Sequence, residues 1–505
     1  MNLPLLRPAY LALSVLAIVA ATASAARAEV EPNRLFSDGA VLQQGLAVPV
    51  WGTGNDGEHV TVKIQDQTVS TTVQNGRWLV RLKPMKAGGP FTLTITGDNT
   101  ITISNVLVGE VWLCSGQSNM AFHLAQAANA AEAIAAAEDS QLRLFTVSYG
   151  ATDSPKTNVT GSWKPSSPET ARSFSAVAWF FGCELRRALK VPIGLINSSV
   201  GGTPAEAWTD RATLESNPDL KEILEHYAEQ VRNYDPAAAA AQHQRALERH
   251  KQAVEQAKAE GKKPPQAPPA PADPRQASGR PCGLYNAMIA PLEPYALAGV
   301  IWYQGESNAG RSRQYQTLFP AMIQNWRQAW GQGDFPFLFV QIAPHQGMKP
   351  EIREAQLLSW QKVPRTAMAV ITDVGNETDI HPTQKEPVSQ RLALAARAVA
   401  YGENLEYSGP VYASMKVDGN RAVLGFTHVG SGLVAKDGEL KGFTIAGADD
   451  TFVPAKAVID GDKVVVSSPE VSKPTAVRYG WANTPDVNLF NQEGLPATPF
   501  RTEVK

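Results

Sequence analysis

The chain has 505 residues, more than one hydrophobic core usually serves, so two or three domains are expected. A formal charge of −2 excludes a general nucleic-acid binder of the strongly basic kind. At the N-terminus Arg7 precedes an apolar run from Ala9 to Ala21, and two cleavage patterns follow, Ala23-Ser24-Ala25 and Ala26-Arg27-Ala28. This pattern predicts a secretory signal peptide over residues 1–28. The apolar run is short for a membrane anchor, and no later run is long enough to span a bilayer. Export to the periplasm or the extracellular space is therefore expected, with no membrane span in the mature chain.

Residues 29–105 alternate apolar and polar positions between turns at Asn55-Asp56-Gly57, Asn75-Gly76 and Gly88-Gly89-Pro90, which predicts a β-sandwich-like module. From Gly109 an apolar strand then runs into the small-residue turn Ser115-Gly116-Gln117-Ser118-Asn119, and Met120 to Ala137 reads as a helix. Three further strands end in polar groups. Pro192 to Asn197 leads into Ser198-Ser199-Val200-Gly201-Gly202, Gly299 to Tyr303 into Gln304-Gly305-Glu306-Ser307-Asn308, and Thr366 to Asp373 into Asp379-Ile380-His381-Pro382. Helical patterns lie between them at Ser175 to Leu189, Gln314 to Trp330, Ile352 to Gln361 and Gln384 to Ala400, and Phe335 to Ile342 reads as another strand. Alternating strands and helices predict a parallel sheet covered on both faces, with ligands bound beyond the strands' carboxyl ends.

The α/β domain is thus expected in two parts, 106–213 and 281–404, with an insertion at 214–280. The insertion opens with alanine-rich, charged helices over Leu220 to Glu260 and closes with a proline-rich linker over 262–272. A solvated insertion and a lid or dimer arm both fit that composition. Residues 405–505 are expected to be β-rich, with turns at Asp418-Gly419-Asn420, Lys436-Asp437-Gly438 and Asp460-Gly461-Asp462, and with the N-terminal module as a candidate packing partner.

A serine at the end of a strand, followed by a helix whose first N–H groups are unpaired, suits acyl transfer, although small-residue turns of this kind also occur with no chemistry. The wider pattern is more specific. Gly116-Gln117-Ser118-Asn119-Met120, the Gly201-Gly202 pair, Trp302-Tyr303-Gln304-Gly305-Glu306-Ser307 and Asp379-Ile380-His381-Pro382 resemble the blocks of the SGNH hydrolases, in particular the sialate O-acetylesterase branch. Leu35-Phe36-Ser37-Asp38, Val41-Leu42-Gln43-Gln44, Val48-Pro49-Val50-Trp51-Gly52, Tyr479-Gly480-Trp481-Ala482 and Gly494-Leu495-Pro496 extend the resemblance over nearly all of the mature chain. The resemblance implies a flavodoxin-like three-layer α/β/α sheet. It also implies a serine carbohydrate O-acetylesterase that needs no cofactor or metal and acts on acetylated sialic acid or on plant polysaccharide such as xylan.

Carried over residue by residue, the resemblance makes Ser118 the nucleophile, His381 the general base and Asp379 the group that orients the imidazole. The backbone N–H of Ser118, the backbone of Gly201 or Gly202 and the amide of Gln304 would donate to the oxyanion. Gln304 departs from the asparagine of the wider superfamily's Gly-x-Asn-Asp block but agrees with the carbohydrate-esterase branch. Many relatives place the acid three residues before the histidine, where this chain has Thr378, and Asp373 at the end of a strand is the rival acid.

Each assignment has a plainer alternative. His345 also follows a strand, but only His381 has a carboxylate close before it in a polar loop. Gln304 could bond loop backbone, Glu306 could cap the next segment, and Gly201-Gly202 could be a tight turn. Trp208 and Trp302 suit sugar stacking and, with Glu306, are candidate substrate contacts; either tryptophan could equally be core. The competing class is a non-catalytic carbohydrate-binding protein or a glycosidase, for which Glu110 and Glu306 are the pair to nominate. Cys114, Cys183 and Cys282 allow one disulfide plus a free thiol or three reduced thiols, and no His-x-x-x-His or Cys-x-x-Cys spacing supports a metal.

Overall fold

A computed structural model describes residues 29–503, so the predicted signal peptide lies outside the described residues. The central sheet is built from β1 (Thr100–Gly116), β2 (Asp139–Thr146), β3 (Trp163–Ser166), β4 (Ile193–Ser199), β5 (Gly299–Tyr303), β6 (Phe337–Val340) and β7 (Thr366–Ala369). Their order is β3-β2-β4-β1-β5-β6-β7. Every neighbouring pair is parallel except β2 with β3. The helices that cover the sheet and lead out of its carboxyl edge are α1 (Ser118–Ala121), α2 (Ala176–Leu189), α3 (Ser312–Trp330), α4 (Pro350–Lys362) and α5 (Glu386–Val399).

Side-chain alternation along the strands divides the core into two layers. Trp112, Cys114, Ile301, Tyr303, Leu338 and Val340 pack with Val177, Phe181 and Leu185 of α2 and with Leu392 and Ala396 of α5. Their sequence neighbours Val111, Leu113, Val300, Trp302, Phe337 and Phe339 face the other way, onto Phe319, Met322 and Trp326 of α3 and Ile352 of α4. A strand buried on both faces reads as a continuous apolar run, which is why these segments were legible as parallel strands. The result is the expected α/β/α sandwich. Strands β2 and β3 extend it beyond the elements read from the sequence.

β1 shows the same physics changing within one strand. Its first residues alternate between exposed and buried, whereas Val106 to Gly116 are buried without a break. The first half belongs to the N-terminal β-module, pairing with Gly88–Thr96, and the second half is the centre of the parallel sheet. The strand therefore runs straight through position 105, where the sequence pattern divides module from sheet, and the module shares a hydrophobic cluster with one face of that sheet.

The segment Met120 to Ala137 is not one helix. α1 stops after four residues, Phe122 and His123 are extended, and a 3-10 turn at Leu124–Gln126 precedes a short helix at Ala130–Ala135. Tertiary hydrogen bonds override the alanine-rich propensity. Phe122 O accepts from Ala176 N, Leu124 N donates to Phe174 O, and Ala128 N donates to Thr383 O.

In the insertion, helix Pro218–Asn233 buries Leu220, Ile223 and Leu224, whereas helix Pro236–Ala259 buries no residue. The C-terminal β-region has its own core around Leu424, Ile445, Val464 and Phe500. It docks on α4, where Arg501 makes a two-bond fork with Glu354 at 2.6 and 2.9 Å and Arg353 donates to Ala482 O. All three cysteines are free, and burial pushes the Cys183 and Cys282 thiols up to about 12.

Candidate active site

β1 ends at Gly116, whose φ of +138° and whose approach to β5 admit no side chain: a Cβ there would sit 2.2 Å from Tyr303 O. Gln117 then turns the chain and Ser118 opens α1. Because β4 lies beside β1, its following loop brings Gly201 against the serine, where a Cβ would be 3.4 Å from Ser118 Cβ. The loop after β7 delivers His381 from the other side, with Nε2 2.8 Å from Ser118 Oγ. Residues 263 positions apart thus meet at the carboxyl edge of the sheet. A 2.8 Å contact is within the reach needed for proton transfer from hydroxyl to imidazole.

The serine opens onto a cavity of about 540 Å³ lined by Ser118, Ala121, Phe122, His123, Gln126, Gly201, Asp379, His381 and Thr383. Its aromatic wall is Phe122 and His123, neither of which the sequence pattern nominated. The break in the expected helix puts them there. Trp208 and Trp302 are instead fully buried, edge to face with ring centroids 6.0 Å apart, so they are core and not substrate contacts.

Asp379 sits at the cavity, but its carboxylate is turned toward the backbone. Oδ1 accepts from His381 N at 2.9 Å, while His381 Nδ1 is 3.9 Å away, beyond hydrogen-bond range. The Asn376 side chain, accepting from Thr378 N and Asp379 N, fixes this loop. Asp373 is held elsewhere, in a fork with Arg391 at 2.7 and 2.7 Å. His345 is likewise engaged in its own loop, where Nδ1 accepts from Gly347 N.

Gln304 does not present a donor to the serine. It is fully buried, and its Nε2 donates to Thr203 O at 3.3 Å and to Asn308 Oδ1 at 2.6 Å while Oε1 accepts from Tyr315 Oη. Both amide hydrogens are engaged, so Gln304 as an oxyanion donor gives way to Gln304 as the anchor of the turn after Gly201-Gly202. Asn308 continues the network by donating to Glu206 Oε2, and Glu206 also accepts from Arg311.

Glu306 is also buried away from the cavity. Its Oε1 accepts from Asn119 Nδ2 at 2.8 Å, and burial pushes its carboxyl above the usual range against the opposing pull of Asn119 and Lys385. Asn119 Nδ2 donates as well to Ile380 O at 3.0 Å, and Asn119 Oδ1 accepts from Lys385 Nζ. Lys385 is fully buried over the Phe122 and Tyr303 rings, 4.7 and 5.2 Å from their centroids, and burial lowers its ammonium to about 7. Asn119 stood in the sequence only as part of the block around Ser118, and Lys385, four residues after His381, carried no signal of its own. Glu110, the partner a glycosidase would need, is taken by Gln43 at 2.8 Å and by Gln44, and both it and Glu306 are buried. The glycosidase pairing is thereby removed.

Residues 277–398 match the family model described as "Carbohydrate esterase, sialic acid-specific acetylesterase". Sialate O-acetylesterase of Rattus norvegicus is 32% identical over 515 residues, covering 90% of this chain and 91% of that protein. The chain belongs to the sialate O-acetylesterase family of carbohydrate esterases. The Homo sapiens member of this family is 31% identical, covering 91% of this chain and 90% of its own. A solved structure described as a novel carbohydrate acetylesterase from Xanthomonas citri is 41% identical, with a TM-score of 0.80, and covers 94% of this chain and 100% of that one. The family and the fold together make the chain a carboxylic ester hydrolase, and among the described residues no group of three or more His, Cys, Asp or Glu is placed to hold a metal ion.

Proposed function

We propose that this esterase removes O-acetyl groups from saccharides with Ser118 as nucleophile and His381 as general base, and that the mature chain is exported. The reading rests on the 2.8 Å contact between Ser118 Oγ and His381 Nε2 at the floor of a small open cavity. As Oγ attacks the acetyl carbonyl, Nε2 takes its proton. The oxyanion that forms is stabilised by neutral backbone N–H groups of Ser118 and of the Gly201-Gly202 turn. Collapse of the intermediate breaks the bond to the sugar oxygen, which takes the proton from the imidazolium and leaves as a hydroxyl. Water, deprotonated by the same nitrogen, then releases acetate from Ser118.

Acetylated sialic acid and acetylated xylan remain the two candidate substrate classes. The cavity favours a short acyl group beside a sugar, because Phe122 offers one flat apolar face and the rest of the lining is small or polar. Ser118→Ala should stay folded and lose activity on a short aryl acetate by on the order of 10³-fold or more. Undiminished turnover by that variant would remove Ser118 from the mechanism. Comparing acetylated sialic acid with acetylated xylo-oligosaccharide on the wild-type enzyme then separates the two substrate classes.

A further inference from the structure

A second, larger cavity of about 1450 Å³ lies between the N-terminal β-module and helix Pro218–Asn233, and it shares no lining residue with the cavity at Ser118. One wall is the outward face of two paired strands, Val48–Thr53 and Arg77–Leu82. Trp51 and Leu79 are cross-strand neighbours on that face, and Leu79 is 38% exposed, on a side that the flanking Arg77 marks as the solvent side. The opposite wall is a helical stripe, Leu224, Tyr227, Ala228 and Val231, at the i, i+3, i+4, i+7 spacing that puts four side chains on one face.

Two apolar walls that face each other across a gap, rather than closing on one another, leave room for a ligand. The floor and rim are polar, with six cationic side chains, Arg211 and Arg280 among them, and four acidic ones, among them Asp210 and Glu293. Several of these cations are already paired, Arg280 with Asp153 and Arg211 with Glu215, so the cavity has no strong net charge. That lining disfavours a lipid, which would leave the charged floor desolvated and unpaired, and it gives an anionic ligand no excess of free cations. It suits a neutral sugar chain, whose C–H faces lie on aromatic and aliphatic walls while its hydroxyls donate to carboxylates and accept from guanidinium groups. The volume exceeds the ~300–1,000 Å³ of a pocket for a drug-sized ligand, so the chain would be several units long.

We propose that this cleft is an accessory binding site for a neutral oligosaccharide, distinct from the cavity at Ser118. It holds the polymer while the esterase site works on acetyl groups, and it does not depend on which residue is the nucleophile.

Unacetylated xylohexaose and cellohexaose offer no ester to the catalytic cavity, so their binding to the wild-type chain can be measured at equilibrium by calorimetry. At least one of them should bind, and Leu79→Glu should weaken it about tenfold, the equivalent of losing one buried aliphatic contact. Leu79 is partly exposed, so this variant tests the wall without removing core. Trp51→Ala should act in the same direction, and Phe122→Ala, in the other cavity, should leave binding unchanged. The proposal falls if neither hexasaccharide binds up to roughly 10 mM. It falls equally if Phe122→Ala abolishes binding while Leu79→Glu does not, or if a trimer of sialic acid binds the cleft more tightly than the neutral chains.

Discussion

Lys385 Nζ donates to Asn119 Oδ1, so a buried ammonium is tied to the residue that follows Ser118. The same Asn119 amide donates to Ile380 O, one residue before His381, and to the buried Glu306 carboxyl. One side chain thus links the turn that carries the serine to the loop that carries the histidine. The 2.8 Å contact between them depends on elements 263 residues apart, and Asn119 is the direct strut between those elements.

Asn119→Ala should therefore reduce kcat by about 10²-fold with KM little changed, because a displacement of roughly 1 Å at the proposed nucleophile, Ser118, is enough for such a loss. It should also destabilise the fold by about 1–3 kcal/mol, since the buried groups of Lys385 and Glu306 lose a partner. Steady-state kinetics on acetylated saccharide, alongside denaturant unfolding, measures both effects. A kcat within about twofold of wild type in a folded variant would show that the strut does not set the geometry.

The buried lysine also has a pH signature. Its ammonium is lowered to about 7 chiefly by burial, with Glu306 and Asp379 pulling the other way. In the unfolded chain it titrates near ~10.4. Between those values the unfolded state binds the more protons, so this group makes stability rise with pH from about 7 upward, and below 7 its burial penalty is present in full. Glu306 is raised by burial and acts in the opposite sense: above its unfolded value the folded state keeps the proton longer, and its contribution falls as pH rises between its unfolded and folded values. Lys385→Met should consequently be most favourable, relative to wild type, at pH 6, and lose that advantage by pH 9. Unfolding midpoints for the two proteins at both pH values decide it. A pH-independent difference would mean that Lys385 does not titrate in this range.

The framework that brings Ser118 and His381 together was legible because its signals are local. Strands buried on both faces read as apolar runs, Gly116 stands where the backbone must pass close to Tyr303, and Ser118 and His381 each lie in a segment that follows a strand of one parallel sheet. What the sequence hid depends on contacts between distant segments. The alanine-rich stretch after Met120 has helical propensity throughout, but hydrogen bonds to Phe174, Ala176 and Thr383 hold it open and turn Phe122 into the wall of the cavity. Trp208 and Trp302 sit beside motif residues, and only their packing against each other shows that they are core. Gln304 has the right chemistry for an oxyanion donor, and only the positions of Thr203 and Asn308 reveal that its hydrogens are engaged.

Phe122 offers the cavity its one large apolar face, so Phe122→Ala should raise KM for acetylated saccharides by about tenfold while changing kcat far less. Loss of a uniform binding contact has that form. The ring also covers the Lys385 ammonium, 4.7 Å from its centroid, so Phe122→Leu serves as the control that keeps an apolar cover. A fall in kcat with unchanged KM for both variants would place Phe122 in the framework of the site and not against the sugar.

The acid of the site is the remaining question that geometry answers quantitatively. In a buried triad, replacing the carboxylate by an amide lowers kcat by about 10⁴-fold, because the imidazole is then held in the wrong tautomer. Here Asp379 is 59% exposed, His381 is 40% exposed, and the carboxylate accepts from His381 N while lying 3.9 Å from Nδ1, beyond hydrogen-bond range. Solvent screens such a pair, and water can satisfy the same nitrogen. Asp379→Asn should thus lower kcat by only about 10- to 100-fold, part of it through loosening the loop that carries His381. Asp373→Asn should leave kcat near normal in the folded fraction and cost about 2–3 kcal/mol of stability, since its charge-assisted fork to Arg391 ties α5 to the end of the β7 segment. A loss approaching 10⁴-fold for Asp379→Asn would show that the carboxylate swings onto Nδ1 during turnover. A comparable loss for a well-folded Asp373→Asn would make that residue the acid instead.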